Sequence, residues 1–232
     1  MSTVGRLIGE PARAAMLDAL LSGQALRAGE LAKAAGVRPP TASGHLHRLR
    51  TGGLVDVVQT GRYRYYRLAG PEVAEALEAL SLLGAAGRPV RSLREARAAQ
   101  AFTVARTCYD HLAGQVGVAV HDALVARAAL VAGGDGYLLT GAGEDLFGRL
   151  GVPVDDARRT RRRFARPCLD LTERRPHLAG ALGAAVCART LELGWLVRRP
   201  ADGRALRLTD AGRQGLVDAL GVTLPAGPSA TP

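Results

Sequence analysis

The residues best equipped for chemistry lie in the second half of the chain. Cys108-Tyr109-Asp110-His111 puts a thiol close to an imidazole, and Cys168 is followed at a longer interval by His177. On a helix, Cys108 and His111 would be neighbours at i and i+3. Cys168 and His177 complete a two-cysteine, two-histidine set if the fold brings the pairs together. Thiolate and imidazole donors suit zinc, other thiophilic metals or haem. The same thiols allow oxidation or electrophile sensing, and a Cys108–His111 pair has the elements of a nucleophile and its base. The Cys168-to-His177 interval matches no recognised zinc motif, however, and cysteine is often simply a small buried apolar residue. Cys187, within AAVCART, reads as core. No glycine-rich phosphate loop, GxSxG elbow or HExxH accompanies the pair. The expectation is therefore a non-enzyme. A cysteine-dependent enzyme or thiol-redox protein stands as the alternative.

A second concentration of functional groups lies earlier. TGRYRYYRL, residues 60 to 68, holds three of the five tyrosines, interleaved with three arginines. TASGHLHRLR, residues 41 to 50, presents hydroxyls, histidines and arginines between apolar positions. The chain as a whole carries a formal charge of +10, and Lys33 is its single lysine. That surplus suggests a polyanionic partner, nucleic acid before membrane. RRTRRRFARP, residues 158 to 167, is a third basic run, read as a solvated helical face or as partners for nearby acids such as Asp155 and Asp156, with a second nucleic-acid surface as the alternative.

Around these groups the elements follow from periodicity and turn residues. Residues 7 to 22 read as an amphipathic helix and 29 to 36 as a short second one. Pro39-Pro40 opens a third, whose core face is Ala42, Leu46 and Leu49. LVDVVQ and RYRYYRL form a hairpin across Thr60-Gly61, and Pro71 starts a helix with a stripe of Val73, Leu77, Leu80 and Leu83. Helix, short helix, turn, helix, hairpin is the order of a winged helix-turn-helix.

Residues 8 to 68 resemble the ArsR-type bacterial repressors. IGEPARAAMLDAL is similar to that family's opening helix, GELAKAAGV to its first helix-turn-helix element, TASGHLHRL to its recognition helix, and GLV with GRYRYYRL to its wing. The resemblance implies a homodimeric repressor of double-stranded DNA. Pro40, Thr41, Ser43, His45 and Arg48 would act on the recognition helix, and Arg62 and Arg64 in the wing. Two departures stand out. Arg38 occupies the cap position where the family often has serine. The segments that carry metal ligands in the family's metal sensors read ALRAGEL and PEVAEALEAL here, with neither Cys nor His. The resemblance therefore does not imply a metal sensor of the usual kind.

Beyond it, residues 85 to 93 read as a linker and 94 to 131 as helix, interrupted near Gly114 or Gly117. YLLTGAGEDLFGRLGV and LRLTDAGRQGLVDALGV form a weak repeat, the second resembling the close of another winged-helix unit. The expected fold is mainly α with small β-hairpin wings, an α+β class. Residues 1–84 would be the DNA-binding domain, 94–224 an effector or dimerisation domain, and 225–232 a loose tail. The three cysteines are too few for a disulfide scaffold, and neither a secretory signal nor an apolar run of about 20 residues is present. A cytoplasmic regulator is expected, with a small effector of unknown identity and no membrane partner.

Overall fold

A computed structural model describes residues 2–84, 92–198 and 203–224. Much of the expected 85–93 linker, part of the turn before Gly203 and the tail from Pro225 lie outside the described residues. The chain divides into two compact units, Met1–Ala86 and Gly87–Pro232.

Unit 1 runs α1 (Ser2–Ile8), α2 (Pro11–Leu20), β1 (Leu26–Arg27), α3 (Ala28–Ala34), α4 (Pro39–Thr51), β2 (Val55–Thr60), β3 (Tyr63–Leu68) and α5 (Pro71–Gly84). The opening helix is broken into α1 and α2 at Gly9-Glu10. The Glu10 carboxylate caps α2 by accepting from the Ala12 and Arg13 amides, and Pro11 sits in the first turn, where its missing N–H costs nothing. Helix α4 begins at Pro39 as expected, and Arg38 supplies no side-chain cap. Met16, Leu17 and Leu20 of α2 join Leu31, Ala42, Leu46, Leu49 and Leu68 in the core. The hairpin pairs antiparallel from Val55↔Leu68 to Thr60↔Tyr63. It is also extended, because β1 pairs with the other edge of β3, Leu26 opposite Tyr66 and Arg27 opposite Tyr65.

Unit 2 opens with α6 (Leu93–Val104) and is then built twice over. The first copy is β4 (Arg106–Cys108), β5 (His111–Ala113), α7 (Gly114–Ala126), β6 (Leu130–Gly133), β7 (Gly136–Leu139) and α8 (Gly141–Leu150). After α9 (Val154–Arg159), the second copy follows as β8 (Arg166–Leu169), β9 (Pro176–Ala179), α10 (Gly180–Glu192), β10 (Leu196–Arg198), β11 (Leu206–Leu208) and α11 (Asp210–Leu220). Each copy is hairpin, helix, hairpin, helix. The Leu-Thr-x-Ala-Gly repeat marks the last step of each: Thr140 and Thr209 cap α8 and α11 through bonds from the Gly143 and Gly212 amides, and Gly151 and Gly221 end them in the left-handed region. One core serves both copies, including Val116, Val120, Leu124, Phe147, Leu178, Leu182, Val186 and Leu216.

The expectation of helix through residues 94 to 131 is corrected here. The chain leaves the helix at Ala105, whose backbone is extended, makes the β4–β5 hairpin and re-enters a helix at Gly114. Tyr109 takes a positive φ of 60° in the hairpin turn. Absence of proline favours helix on both sides of an interruption at Gly114 or Gly117, but strand pairing over Arg106–Ala113 overrides that local signal, and Gly114 instead begins a helix.

Candidate nucleic-acid interface and Cys-His cluster

The recognition helix α4 buries Ala42, Leu46 and Leu49 and leaves Pro40, Thr41, Ser43, His47 and Arg48 exposed. The 3.6-residue period thus gives one face to the core and the opposite face to solvent. Ser43 Oγ bonds back to the Pro39 carbonyl at 3.1 Å, an intrahelical contact. His45 is half-buried and faces α2, with Nδ1 3.3 Å from the Glu10 carboxylate and 3.4 Å from the Arg13 guanidinium. Its placement favours support of α4 against the opening helix over base contact.

The tyrosine-arginine alternation has a geometric account. Tyr63 and Tyr65 share a face of β3, and the Arg27 guanidinium lies 4.8 Å and 5.6 Å from their ring centres. Arg62, in the turn, lies 5.0 Å from Tyr63. Such contacts hold cations over aromatic faces. Arg62, Arg64 and Arg67 are exposed, and Arg67 lies 4.0 Å from Asp56. Phosphate oxygens are natural partners for guanidinium groups presented in this way.

The third basic run behaves differently. Arg158 pairs with Glu144 and Asp155, Arg159 with Asp156, Arg162 with Asp110 and Arg163 with Asp135. These neighbouring acids account for most of the run.

In unit 2, Cys108, His111, Cys168 and His177 converge, one ligand atom from each lying within 4.8 Å of the others. Cys108 and His111 are not helical neighbours at i and i+3. They are cross-strand partners in β4–β5, and Cys168 and His177 are cross-strand partners in β8–β9. The flanking registers agree as well, Arg106 opposite Ala113 and Arg166 opposite Ala179. Each copy therefore delivers one thiol and one imidazole from equivalent positions.

The copies meet by exchanging partners. Helix α7 packs on β9 and α10 on β5. A Cβ on Gly117 of α7 would lie 2.4 Å from the Leu112 carbonyl oxygen and 3.7 Å from the His177 Cβ. On Gly183 of α10 it would lie 2.5 Å from the Leu178 carbonyl oxygen and 3.3 Å from the His111 Cβ. A side chain here would strike the carbonyl of the same copy's hairpin, and the other copy's histidine lies beside each glycine.

The thiol sulfurs are 3.9 Å apart, and the imidazoles stack with centres 5.0 Å apart and planes 24° from parallel. His111 Nδ1 lies 3.4 Å from Asp110 Oδ1, and His177 Nδ1 lies 3.5 Å from Asp170 Oδ2 without hydrogen-bond alignment. His111 Nε2 and both nitrogens of His177 are buried without a well-formed hydrogen bond among the described residues. Asp170 is fully buried. It accepts from Arg106 Nη2 at 2.8 Å, the Gly114 amide at 2.7 Å, and the Thr172 and Glu173 amides at 2.9 Å and 3.0 Å. The Cys168 thiol is pulled far below its ordinary range, first by the hydrogen bond from Cys108 and then by His111 and His177, against the opposing effect of burial. Burial instead pushes the Cys187 thiol up to about 12, and Cys187 lies apart from the cluster in the core.

The sequence reading missed Asp110, Asp170 and Arg106. A signal for the two aspartates was present: both copies read Cys-x-Asp, then, after a short or a longer turn, His-Leu-Ala-Gly.

Fold and site thus describe a winged helix-turn-helix joined to a second unit with a buried thiol-imidazole cluster. A helix-turn-helix domain model (HTH_20) matches residues 8–58. The chain is 40% identical over 213 residues to the HTH-type transcriptional regulator YdfF of Bacillus subtilis, covering 92% of this chain and 93% of that protein. It is 40% identical over 75 residues to the HTH-type transcriptional regulator Rv0324 of Mycobacterium tuberculosis, 32% of each chain. Among solved structures, the homodimeric winged helix-turn-helix domain of Mb0332 from Mycobacterium bovis is 28% identical, covering 39% of this chain and 83% of that one, with a TM-score of 0.35. The chain belongs to the HTH-type transcriptional regulators, and its first unit is a winged helix-turn-helix. Among the described residues, no helix is long and apolar enough to cross a membrane.

Proposed function

We propose that this regulator is a homodimeric, cytoplasmic repressor of double-stranded DNA, released by an effector that acts on unit 2. The observation that carries the DNA reading is the exposed face of α4, with Thr41 and Arg48, in the same unit as a wing whose arginines are exposed. Thr41 and Arg48 read base edges in the major groove, while Arg62 and Arg64 contact phosphate. Pro40 and Ser43 stand at the same helix face, and His45 braces it from behind. The dimer reading is supported by α5, where Leu80 is 47% and Leu83 84% exposed. Such an apolar stripe favours a partner surface, and two symmetric copies would read an inverted repeat with half-sites about 34 Å apart or a multiple of it. Effector control is supported by the buried cluster, whose thiols and imidazoles take no part in the DNA-binding unit.

The test is binding of the full chain to its own promoter region and to random duplexes over a range of salt. Preference for the promoter, with affinity falling steeply as salt rises, is expected. Equal affinity for both, or binding that ignores salt, would refute the reading.

A further inference from the structure

We propose that Cys108, His111, Cys168 and His177 form a closed, four-coordinate site for a divalent cation of the zinc type, each copy in unit 2 supplying half of the ligands. As an account of control it rests on reading unit 2 as the effector-binding unit; as a metal site it stands by itself.

Distance is the first argument. With Zn–S of about 2.3 Å, the edge between two sulfurs of a tetrahedron is about 3.8 Å. Cys108 and Cys168 stand at 3.9 Å, far beyond the roughly 2.05 Å of a disulfide. All four donors lie within 4.8 Å of one another, so a contraction of about 1 Å at the widest pair brings them to the edges of one tetrahedron. Haem is a poor fit. Its iron takes protein ligands at axial positions only, and four mutually adjacent donors leave no plane for the macrocycle.

Polarity is the second. His111 is 4% exposed and His177 is 0%, yet among the described residues His111 Nε2 and both nitrogens of His177 find no well-formed hydrogen bond. Buried polar atoms without partners are costly and rare in native proteins, so they call for an explanation. A cation accepting both Nε2 lone pairs supplies one. It leaves His111 Nδ1 to Asp110 Oδ1 at 3.4 Å, and sets His177 Nδ1 beside Asp170 Oδ2 at 3.5 Å, a separation that a small turn of the ring would convert into a hydrogen bond. A carboxylate behind the coordinating imidazole is the usual outer-shell arrangement, fixing tautomer and ring orientation. Asp170 is itself held by Arg106 and the Gly114 amide, and Asp110 by Arg162.

Charge is the third. Two thiolates and two neutral imidazoles cancel the charge of a divalent ion, so the filled site is neutral where isolated charges would be costly. Each cysteine binds as thiolate, and any proton it still carries leaves to solvent. Sulfur and imidazole donors in tetrahedral disposition select zinc or cadmium over magnesium or calcium. With four protein ligands the site has no open position for substrate, which separates it from catalytic zinc. Filling it links β4–β5 of one copy to β8–β9 of the other, so ion occupancy bears directly on how the copies are clamped together.

The test uses the full chain, stripped by chelation under reducing conditions and titrated with Co2+ alone, then with Zn2+. Expected are the intense visible bands of tetrahedral cobalt with sulfur-to-metal charge transfer, saturating at a single ion per chain and abolished by excess Zn2+. The weak spectrum of octahedral cobalt, or no binding, would overturn the proposal from the wild-type protein alone. C108S/C168S should lose the bands while C187S keeps them, with far-UV circular dichroism confirming that both fold; retention in the double variant also overturns it. Promoter affinity with and without Zn2+ then separates the two readings. Tetrahedral binding with unchanged DNA affinity leaves the site standing and refutes zinc control through it. Release of DNA by Zn2+ without a cysteine-dependent cobalt spectrum supports an effector role and refutes this site.

Discussion

Replacing Asp170 by asparagine removes the centre of the polar scaffold behind the cluster. The carboxylate is fully buried, and so is its partner Arg106, at 1% exposure. Oδ1 accepts from Arg106 and from the Thr172 and Glu173 amides, and Oδ2 accepts from the Gly114 amide. Asparagine offers one oxygen for these two positions. If it keeps the Oδ1 contacts, its amide nitrogen meets the Gly114 N–H donor to donor across a 2.7 Å separation. If it turns over, it meets the arginine and two amides instead. In either orientation the buried guanidinium loses its counter-charge. Breaking a buried ion pair from one side costs about 3–5 kcal/mol, a large part of a total domain stability of about 5–15 kcal/mol. The assay is urea unfolding followed by fluorescence of Trp195, the chain's single tryptophan, which lies in unit 2 and reports on that unit. D170N should lower the unfolding free energy by that amount, seen as a midpoint reduced by that amount divided by the slope, with the slope unchanged. R106M should do the same, and D170N/R106M should lose less than the sum of the two. A loss under about 1 kcal/mol in D170N would refute the view that this pair is a buried, uncompensated linchpin.

Further outcomes follow from other contacts. Gly183→Ala places a Cβ 2.5 Å from the Leu178 carbonyl oxygen and should lower the stability of unit 2 by about 1–3 kcal/mol in the same unfolding assay, whereas Ala at exposed Gly148 in α8 should not. Arg62→Ala and Arg64→Ala should weaken binding to all duplexes and each shallow the salt slope by about 1, while Arg48→Ala should cost about 1–3 kcal/mol and relax one base position. His121 is buried, and its Nε2 lies 2.7 Å from the Tyr137 hydroxyl. Burial, opposed by Asp122, holds it below its ordinary range. The unfolded chain therefore takes up the proton first, and stability should decline as pH falls below about 6.5, a component absent from H121Q. Cys187, pushed up to about 12 by burial, should resist iodoacetamide at neutral pH in the native protein and react in urea.

How much of this was legible in the sequence depends on how local the signal was. Helix α4 was readable because Pro39-Pro40, the Ala42-Leu46-Leu49 face and Gly52-Gly53 all act within one helix. Strand β1 was not, since two residues carry no period and exist as a strand only by pairing with β3. The cluster was half legible. Residue type singled out all four side chains, but the absence of proline set Cys108 and His111 on a helix where the structure has a hairpin. The evidence for the hairpin was the likeness of RTC and HLAG to RPC and HLAG, a comparison across 60 residues that no local window makes. The buried Asp170–Arg106 pair was less accessible still, because nothing in RTCYDHLAG says that Arg106 turns inward.

The exchange of packing partners between the copies bears on what a fragment of this chain can do. Because α7 leans on β9 and α10 on β5, either copy cut away from the other exposes the hairpin face it had covered and loses the cover on its own. Severed at the α9–β8 connection, the pieces should be insoluble alone and reconstitute when mixed. The same geometry gives the connection a say in whether a copy closes on its own chain or on a neighbour's. A shortened tether there would turn an intramolecular clasp into an interlocked pair, with each ion's ligands drawn from two molecules.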